Sequence, residues 1–264
     1  MIKSITLENF FSFGIKTTIP LNGDVNVLLG INGSGKSNLI KAIRLLYEGI
    51  AGEGLEKIFL REWGGFLAVA FFGKEQADFI RLSYTFDKDY IRQLFQKEEG
   101  GYHFINDPIY TLTIYPAGDT AYFLEEELTA ANADSSREPF IFMQMRNGQG
   151  KISTRENRGA HLKSYGVGKV SFKTEEPILQ QISDPEQFYP HYTLKRALEK
   201  VSVYHYFDTT IYSKIRQPVA ASTEKRLFTN GENLVRIIHR LKNNHSLAYE
   251  KIQTAIKKIN PQFI

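Results

Sequence analysis

The sequence predicts an α/β fold, on three observations. An apolar run, Val25-Asn26-Val27-Leu28-Leu29, leads into Gly30-Ile31-Asn32-Gly33-Ser34-Gly35-Lys36-Ser37 and then into residues 37–48, which have helical periodicity. From Phe66 to Glu127 the chain is rich in aromatic and β-branched residues, in short runs broken by turn residues, the pattern of strands. The final thirty residues place apolar side chains three and four apart, the pattern of helices.

Residues 30–37 fit G-x-x-x-x-G-K-[ST] at every fixed position, the spacing of a phosphate-binding loop. A polyphosphate needs several backbone N–H groups turned toward it, and glycines such as Gly33 and Gly35 let the chain curl and approach that closely. Lys36 brings a compact ammonium to the β- and γ-phosphates, and the Ser37 hydroxyl is the usual protein ligand to Mg²⁺. ATP and Mg²⁺ are therefore the expected cofactors. The run before the loop reads as a buried strand. Leu39, Ile40, Ile43 and Leu46, with Ala42 and Tyr47, give the following helix one apolar face. The dipole and unpaired N–H groups of that helix complete an anion site. No N-K-x-D segment of the kind that reads guanine occurs, which disfavours a GTPase.

Composition bounds the class. With 42% hydrophobic residues, 19 Phe and 14 Tyr, the 264-residue chain can bury a real core. It has no cysteine, which excludes disulfides, thiolate metal sites and a cysteine nucleophile. Neither a signal-peptide core nor a run of eighteen apolar residues occurs, so a soluble, cytoplasmic protein with no membrane partner is expected. The net charge is +4. Between Gly231 and Asn260, Arg236, Arg240, Lys242, Lys251, Lys257 and Lys258 face only Glu232 and Glu250, so this segment alone carries an excess equal to that of the whole chain. DNA is the partner such a basic helical face would suit.

Taken in order, Ile2 to Asn9 reads as a strand, Phe10 to Gly14 as a turn, Ile15 to Ile19 as a second strand and Pro20 to Asp24 as a turn before the loop strand. The opening Ile5-Thr6-Leu7-Glu8-Asn9-Phe10-Phe11-Ser12-Phe13, with the stretch from Val27 to Ile43, resembles the start of RecF/SMC-type ATPases of the ABC superfamily. Those proteins share an N-F-x-x-F strand end and a G-x-N-G-S-G-K-S-N loop. The resemblance adds Asn32, Ser34 and Asn38 to Gly30, Gly33, Gly35, Lys36 and Ser37 as nucleotide-binding residues. It also implies that Ser12 and Phe13, in the turn after the first strand, lie near the adenine. The fold it implies is a P-loop NTPase head of ABC type with an antiparallel β-layer and a C-terminal helical segment.

Gly49 to Trp63 reads as a connection. Phe66 to Phe72 and Ala77 to Phe86 are expected to pair as a hairpin across residues 73–76, and Asp87 to cap a short helix running to Gln96. Ile109 to Tyr115 and Ala121 to Glu127 are expected to pair across Pro116-Ala117-Gly118-Asp119. Thr129 to Pro139 and Arg146 to Gly168 read as exposed loops. Gly148-Gln149-Gly150-Lys151 in the second is a flexible loop rather than another phosphate site, because the flanking strand and helix patterns are missing. Glu175 to Pro185 leads to a helix at Leu194 to Lys200. In ABC ATPases a glutamine at this passage contacts Mg²⁺ and the attacking water, and either Gln180 or Gln181 stands at about that place.

The run Val201 to Thr210 ends an apolar stretch in Asp208, as a Walker B strand does, but ABC enzymes follow that Asp with a catalytic Glu and here the residue is Thr209. The segment instead resembles the Y-H-F-x-D-T stretch of a subgroup of stand-alone RecF-like ATPases, with Arg216 and Gly231-Glu232-Asn233-Leu234 matching later landmarks. His205 and Asp208 are accordingly read as structural polar groups. Two amphipathic helices follow, lined by Leu234, Ile237, Ile238 and Leu241 and by Ala248, Ile252, Ala255, Ile256 and Ile259, split at Asn243-Asn244 and stopped by Pro261. Domains are expected at 1–175 and 176–264.

The sequence holds no L-S-G-G signature, no Walker B Asp-Glu pair and no switch His. The resemblance therefore implies the N-terminal half of an ATPase acting on DNA in repair or in defence against foreign DNA, with little hydrolysis of its own. Its partners would be a second copy or a C-terminal half that supplies the signature and Walker B. A nucleotide-dependent protein-interaction module is the alternative.

Overall fold

The computed structural model describes residues 1–73, 77–95, 104–118, 121–131, 138–156, 159–165, 172–204, 207–208, 210–218, 226–228 and 230–262. They divide into two compact units, Met1–Val201 and Ser202–Ile264.

The first unit is built on one antiparallel sheet of eight strands among the described residues: β1 (Ile2–Glu8), β2 (Thr17–Pro20), β3 (Ile80–Phe86), β4 (Pro108–Ala117), β5 (Ala121–Ala130), β6 (Phe140–Arg146), β7 (Gln149–Glu156) and β8 (Gly159–Tyr165). The order is β2-β1-β3-β4-β5-β6-β7-β8, a meander after the one exchange at β1. Period-two alternation sets the two faces. Ile5 and Leu7, Leu82 and Tyr84, Leu112 and Ile114, and Leu124 and Leu128 point into the core. Ser4, Ser83 and Thr111 point outward, bonding across strands to one another's neighbours as Ser4–Thr85 and Ser83–Thr111.

Helix α1 (Lys36–Ile50) covers the apolar face with Leu39, Ala42, Leu45, Leu46 and Ile50. The hydroxyl of the buried Tyr84 donates to the Ala42 carbonyl at 2.8 Å, a direct tie between sheet and helix. A π-helical stretch (Lys57–Glu62) follows, then the one-turn helix α2 (Phe66–Val69), α3 (Lys88–Leu94), α4 (Ile178–Gln181) and α5 (Tyr189–Leu198). Asp87 caps α3 as expected, accepting from the backbone of Asp89 and Tyr90.

Four expectations are corrected. Phe66 to Val69 is helical rather than a strand, because it buries Phe66 and Val69, three apart, while Leu67 is exposed. The expected hairpin is thus not formed there, and its turn residues 74–76 lie outside the described residues. Val25 to Leu29 belongs to none of the eight strands, and Val25, Val27 and Leu29 are 77%, 73% and 88% exposed. The stretch after Arg146 is a hairpin rather than a loop. Asn147 and Gly148, both at positive φ (49° and 73°), make the two-residue turn that joins β6 to β7, with Arg146 opposite Gln149. Finally, the first unit extends past residue 175 to Val201, since Ile178, Leu179, Ile182, Leu194, Ala197 and Leu198 are buried in the same core as the sheet.

In the second unit, helices α6 (Leu234–Asn244) and α7 (Ser246–Ile259) match the expected pair, with the break at His245 instead of Asn243-Asn244. None of their residues is fully buried. Asn233 pins the chain before α6, accepting from the Phe228 N–H and donating to the Arg226 carbonyl, both at 2.8 Å. Asp208 closes a local turn, accepting from Thr210 N–H at 2.9 Å. His205 lies outside the described residues.

Candidate phosphate-binding site

Gly35 stands at the N-cap of α1 in the left-handed region, φ 88°. A side chain there is doubly disfavoured: its Cβ would lie 2.9 Å from Ser12 Oγ and 3.1 Å from the Phe13 ring. The turn after β1 is thus pressed against the loop. Asn38, in the first turn of α1, donates from its side-chain amide to Ser12 Oγ at 2.9 Å. Ser12, Phe13, Gly35 and Asn38 are brought together, although they come from segments separated by more than twenty residues.

Lys36 folds over its own loop. Its ammonium donates to the carbonyls of Gly30 and Ile31, each at 2.7 Å, and to Ser34 Oγ at 3.3 Å. All three ammonium protons are engaged by groups of the loop itself, so the charge is held above the loop's curve. Asn32, Gly33, Ser34 and Ser37 are exposed, and Gly33 has open space around it. The helix carries no acidic residue in its first turn and no side-chain cap, leaving its N-terminal dipole for an external anion. These features fit a polyphosphate. Among the described residues no cluster of three or more His, Asp or Glu is placed to hold a metal. A cation would take the exposed Ser37 hydroxyl together with phosphate oxygens.

Gln181 lies elsewhere. Its amide nitrogen donates to the carbonyls of Lys173 and Glu176, and its oxygen accepts from Lys173 N–H at 2.8 Å. It ends α4, whose flanking Pro177 approaches Gly49 at the far end of α1. Twelve residues of helix separate Gly49 from Ser37, about 18 Å. The structure therefore does not bring Gln181 to the loop, because its side chain is spent tying two backbone segments together. Gln180 is held in the same element, its carbonyl accepting from Lys195.

One functional-looking group was hidden in the run Glu125-Glu126-Glu127. Strand alternation turns the middle carboxylate inward, where Glu126 is 2% exposed. It accepts from Tyr110 OH and from Ile178 N–H, each at 2.7 Å, and so caps α4 from the sheet. Burial without a cation pushes its carboxyl up to about 7. The alternation Tyr122, Leu124, Glu126, Leu128 was the signal that pointed to it.

A family model described as an AAA domain matches residues 4–263. Over 43 residues the chain is 46% identical to the chromosome partition protein Smc of Coxiella burnetii (strain RSA 493 / Nine Mile phase I). It is 49% identical over 43 residues to the chromosome partition protein Smc of Desulfitobacterium hafniense (strain Y51). Each match takes in 16% of this chain and 4% of the relative's length. No helix among the described residues is long and apolar enough to cross a membrane.

Proposed function

The chain belongs to the AAA-domain family, and from that premise we propose that it is the ATP-binding portion of an SMC- and RecF-like ATPase that acts on DNA. The observation that carries this reading is the loop itself: a left-handed Gly35 at the start of α1, an uncapped helix N-terminus, and the Lys36 ammonium held above the loop by Gly30, Ile31 and Ser34.

In this reading the backbone N–H groups around Gly33, Ser34 and Gly35 hold the phosphates, Lys36 exchanges loop carbonyls for phosphate oxygens, and Asn32 and Asn38 frame the loop. Ser37 would hold Mg²⁺, which would supply neutralisation of the phosphate charge. Ser12 and Phe13 wall the site on the side where the nucleoside would lie. Hydrolysis also needs an oriented water and a catalytic carboxylate. With no Asp-Glu pair or signature motif in the sequence, this chain binds ATP and turns it over slowly unless another polypeptide segment completes the site. The bare apolar side chains of Val25, Val27, Leu29 and Ile31, beside the loop, support the presence of such a segment, from a second copy or from a C-terminal half. Gln181 would reach the metal only after α4 rearranged.

DNA as the substrate, in repair or in defence against foreign DNA, is supported by the exposed basic helices α6 and α7. An interaction module gated by ATP is the second reading, favoured by the same bare stripe.

Calorimetry with Mg²⁺ and ATP on the wild-type chain and on Lys36→Ala, with ADP release followed in the same samples, tests the proposal. Binding that depends on Lys36 with little turnover is expected. Equal binding by both proteins would overturn it, and brisk turnover by the isolated chain would overturn its second half. Binding to duplex DNA that weakens steeply with salt would separate a DNA machine from an interaction module.

A further inference from the structure

The turn between β1 and β2 is unusual in its backbone. Asn9 and Phe11 both sit in the left-handed region, φ 54° and 47°, and Phe11 is a bulky residue for which that conformation is costly. The turn is closed on itself by a pair of 2.9 Å bonds between the backbones of Phe10 and Phe13. It is also laced to the end of α2 and the segment after it, with Phe11 N–H donating to the Val69 carbonyl at 2.7 Å and Phe71 N–H to the Asn9 carbonyl at 3.1 Å.

The Phe11 ring, partly buried against the core, meets two groups from other parts of the chain. The Lys41 ammonium lies 3.9 Å from the centre of the Phe11 ring and 5.9 Å from that of Trp63, and the two rings meet edge to face at 5.6 Å. Among the described residues Lys41 pairs with no carboxylate. Lys41 stands one helical turn beyond Ser37 on the helix that begins at the phosphate loop. The first two turns of α1 thus grip the turn at two points, Asn38 on Ser12 and Lys41 on Phe11, and Ser12 and Phe13 are held against Gly35 between them.

We propose that Lys41, Phe11 and Trp63 form a latch that positions this turn for the nucleoside part of the ligand, so that they govern selectivity for a nucleotide over a bare polyphosphate. The inference rests on the nucleotide-binding reading. A cation over an aromatic face is attracted without a fixed bond direction, so it holds the ring while leaving the Ser12-Phe13 peptide free to adjust to a base. The phosphates would still be held by the loop alone.

The test is calorimetry of Mg²⁺-ATP and of Mg²⁺-tripolyphosphate on the wild-type chain, Lys36→Ala, Lys41→Met and Lys41→Arg, with melting temperatures recorded for each. Lys41→Met keeps the stem and removes the charge; it is expected to lose about 3- to 10-fold in ATP affinity and to leave tripolyphosphate affinity unchanged. Lys41→Arg, still able to sit over the rings, restores the preference. Equal affinity of Lys41→Met and wild type for ATP would overturn the latch, and so would an equal loss for both ligands, which would signify only the removal of a nearby charge. If Lys41→Met fails to fold, Lys41→Gln carries the same comparison. Lys36→Ala is expected to lose both ligands. Its retention of both would sink the nucleotide-binding reading, and the latch with it, whereas loss of both in Lys36→Ala with an unaltered Lys41→Met would sink the latch alone.

Discussion

The side-chain amide of Asn38 donates a 2.9 Å hydrogen bond to the Ser12 hydroxyl, joining the first turn of α1 to the turn after β1. Its two ends are 26 residues apart in the chain and adjoin the same glycine, so it couples the loop to the wall beside it. A bond of this kind contributes about 1 kcal/mol, close to a 5-fold change in affinity. Ser12→Ala and Asn38→Ala are each expected to weaken ATP binding by about that factor, and the double variant by no more than either single one. Calorimetry on the four proteins checks this; fully additive losses would show that the two side chains act independently.

Two buried groups titrate in opposite senses. Glu126, folded, is raised to about 7 from 4.5 by burial, so its contribution is full below pH 4.5 and is lost as pH rises through 7. His191, wholly buried with Nε2 donating to the Phe142 carbonyl at 3.0 Å, is lowered to about 4 from 6.5 by burial. Its contribution is full above pH 6.5 and is lost as pH falls through 4. Each is on the order of 3 kcal/mol, so between pH 4.5 and 6.5 they nearly cancel. Wild-type stability should be flat over that window, while Glu126→Gln, which keeps an acceptor for Ile178, should lose about 3 kcal/mol on acidification from pH 6.5 to 4. Urea titrations at several pH values measure both, and a flat profile for Glu126→Gln would contradict the assignment.

Gly150 opens β7 at φ 149°, where a Cβ would lie 2.1 Å from the Gln144 carbonyl oxygen. The obstacle is backbone of the paired strand, which has little room to yield. Gly150→Ala should cost about 2–4 kcal/mol in a denaturant titration. Gly33→Ala, with positive φ but nothing within 4 Å, should cost only about 1 kcal/mol. Equal losses would mean that backbone conformation, and not the close approach, decides both.

The bare stripe beside the loop should betray itself in solution. Val27 and Leu29 are 73% and 88% exposed, so replacing both with Ser should change stability by under about 0.5 kcal/mol. The same change should raise the concentration at which light scattering detects association. Unaltered association would show that the stripe is not where copies of the chain meet.

Much of this was legible residue by residue. The run from Gly30 to Ser37 carries its own chemistry, and the helix after it follows from the spacing of Leu39, Ala42 and Leu46. Asp87 announces the start of α3 through local capping. The strand reading of Phe66 to Val69 went astray because four apolar residues in a row satisfy either period. The loop reading of residues 146–168 overlooked Asn147-Gly148, a two-residue turn signal between strands of weak alternation. Gln181 stood at a plausible distance along the chain, yet a glutamine's role depends on where its element is folded.

By itself the sequence determined the glycine-rich turn of residues 30–37, the helix after it and the strand-rich middle, because glycine conformation, capping and side-chain periodicity act over a few neighbouring residues. Only the tertiary structure decided that Ser12 meets Asn38, that Lys41 lies over Phe11 and Trp63, that Glu126 caps α4 from inside the core, and that Gln181 is spent on Lys173 and Glu176. The first three of these join residues distant in the chain, and are settled by which surfaces bury against one another; the last is a local tie whose place in the molecule depends on where α4 is folded.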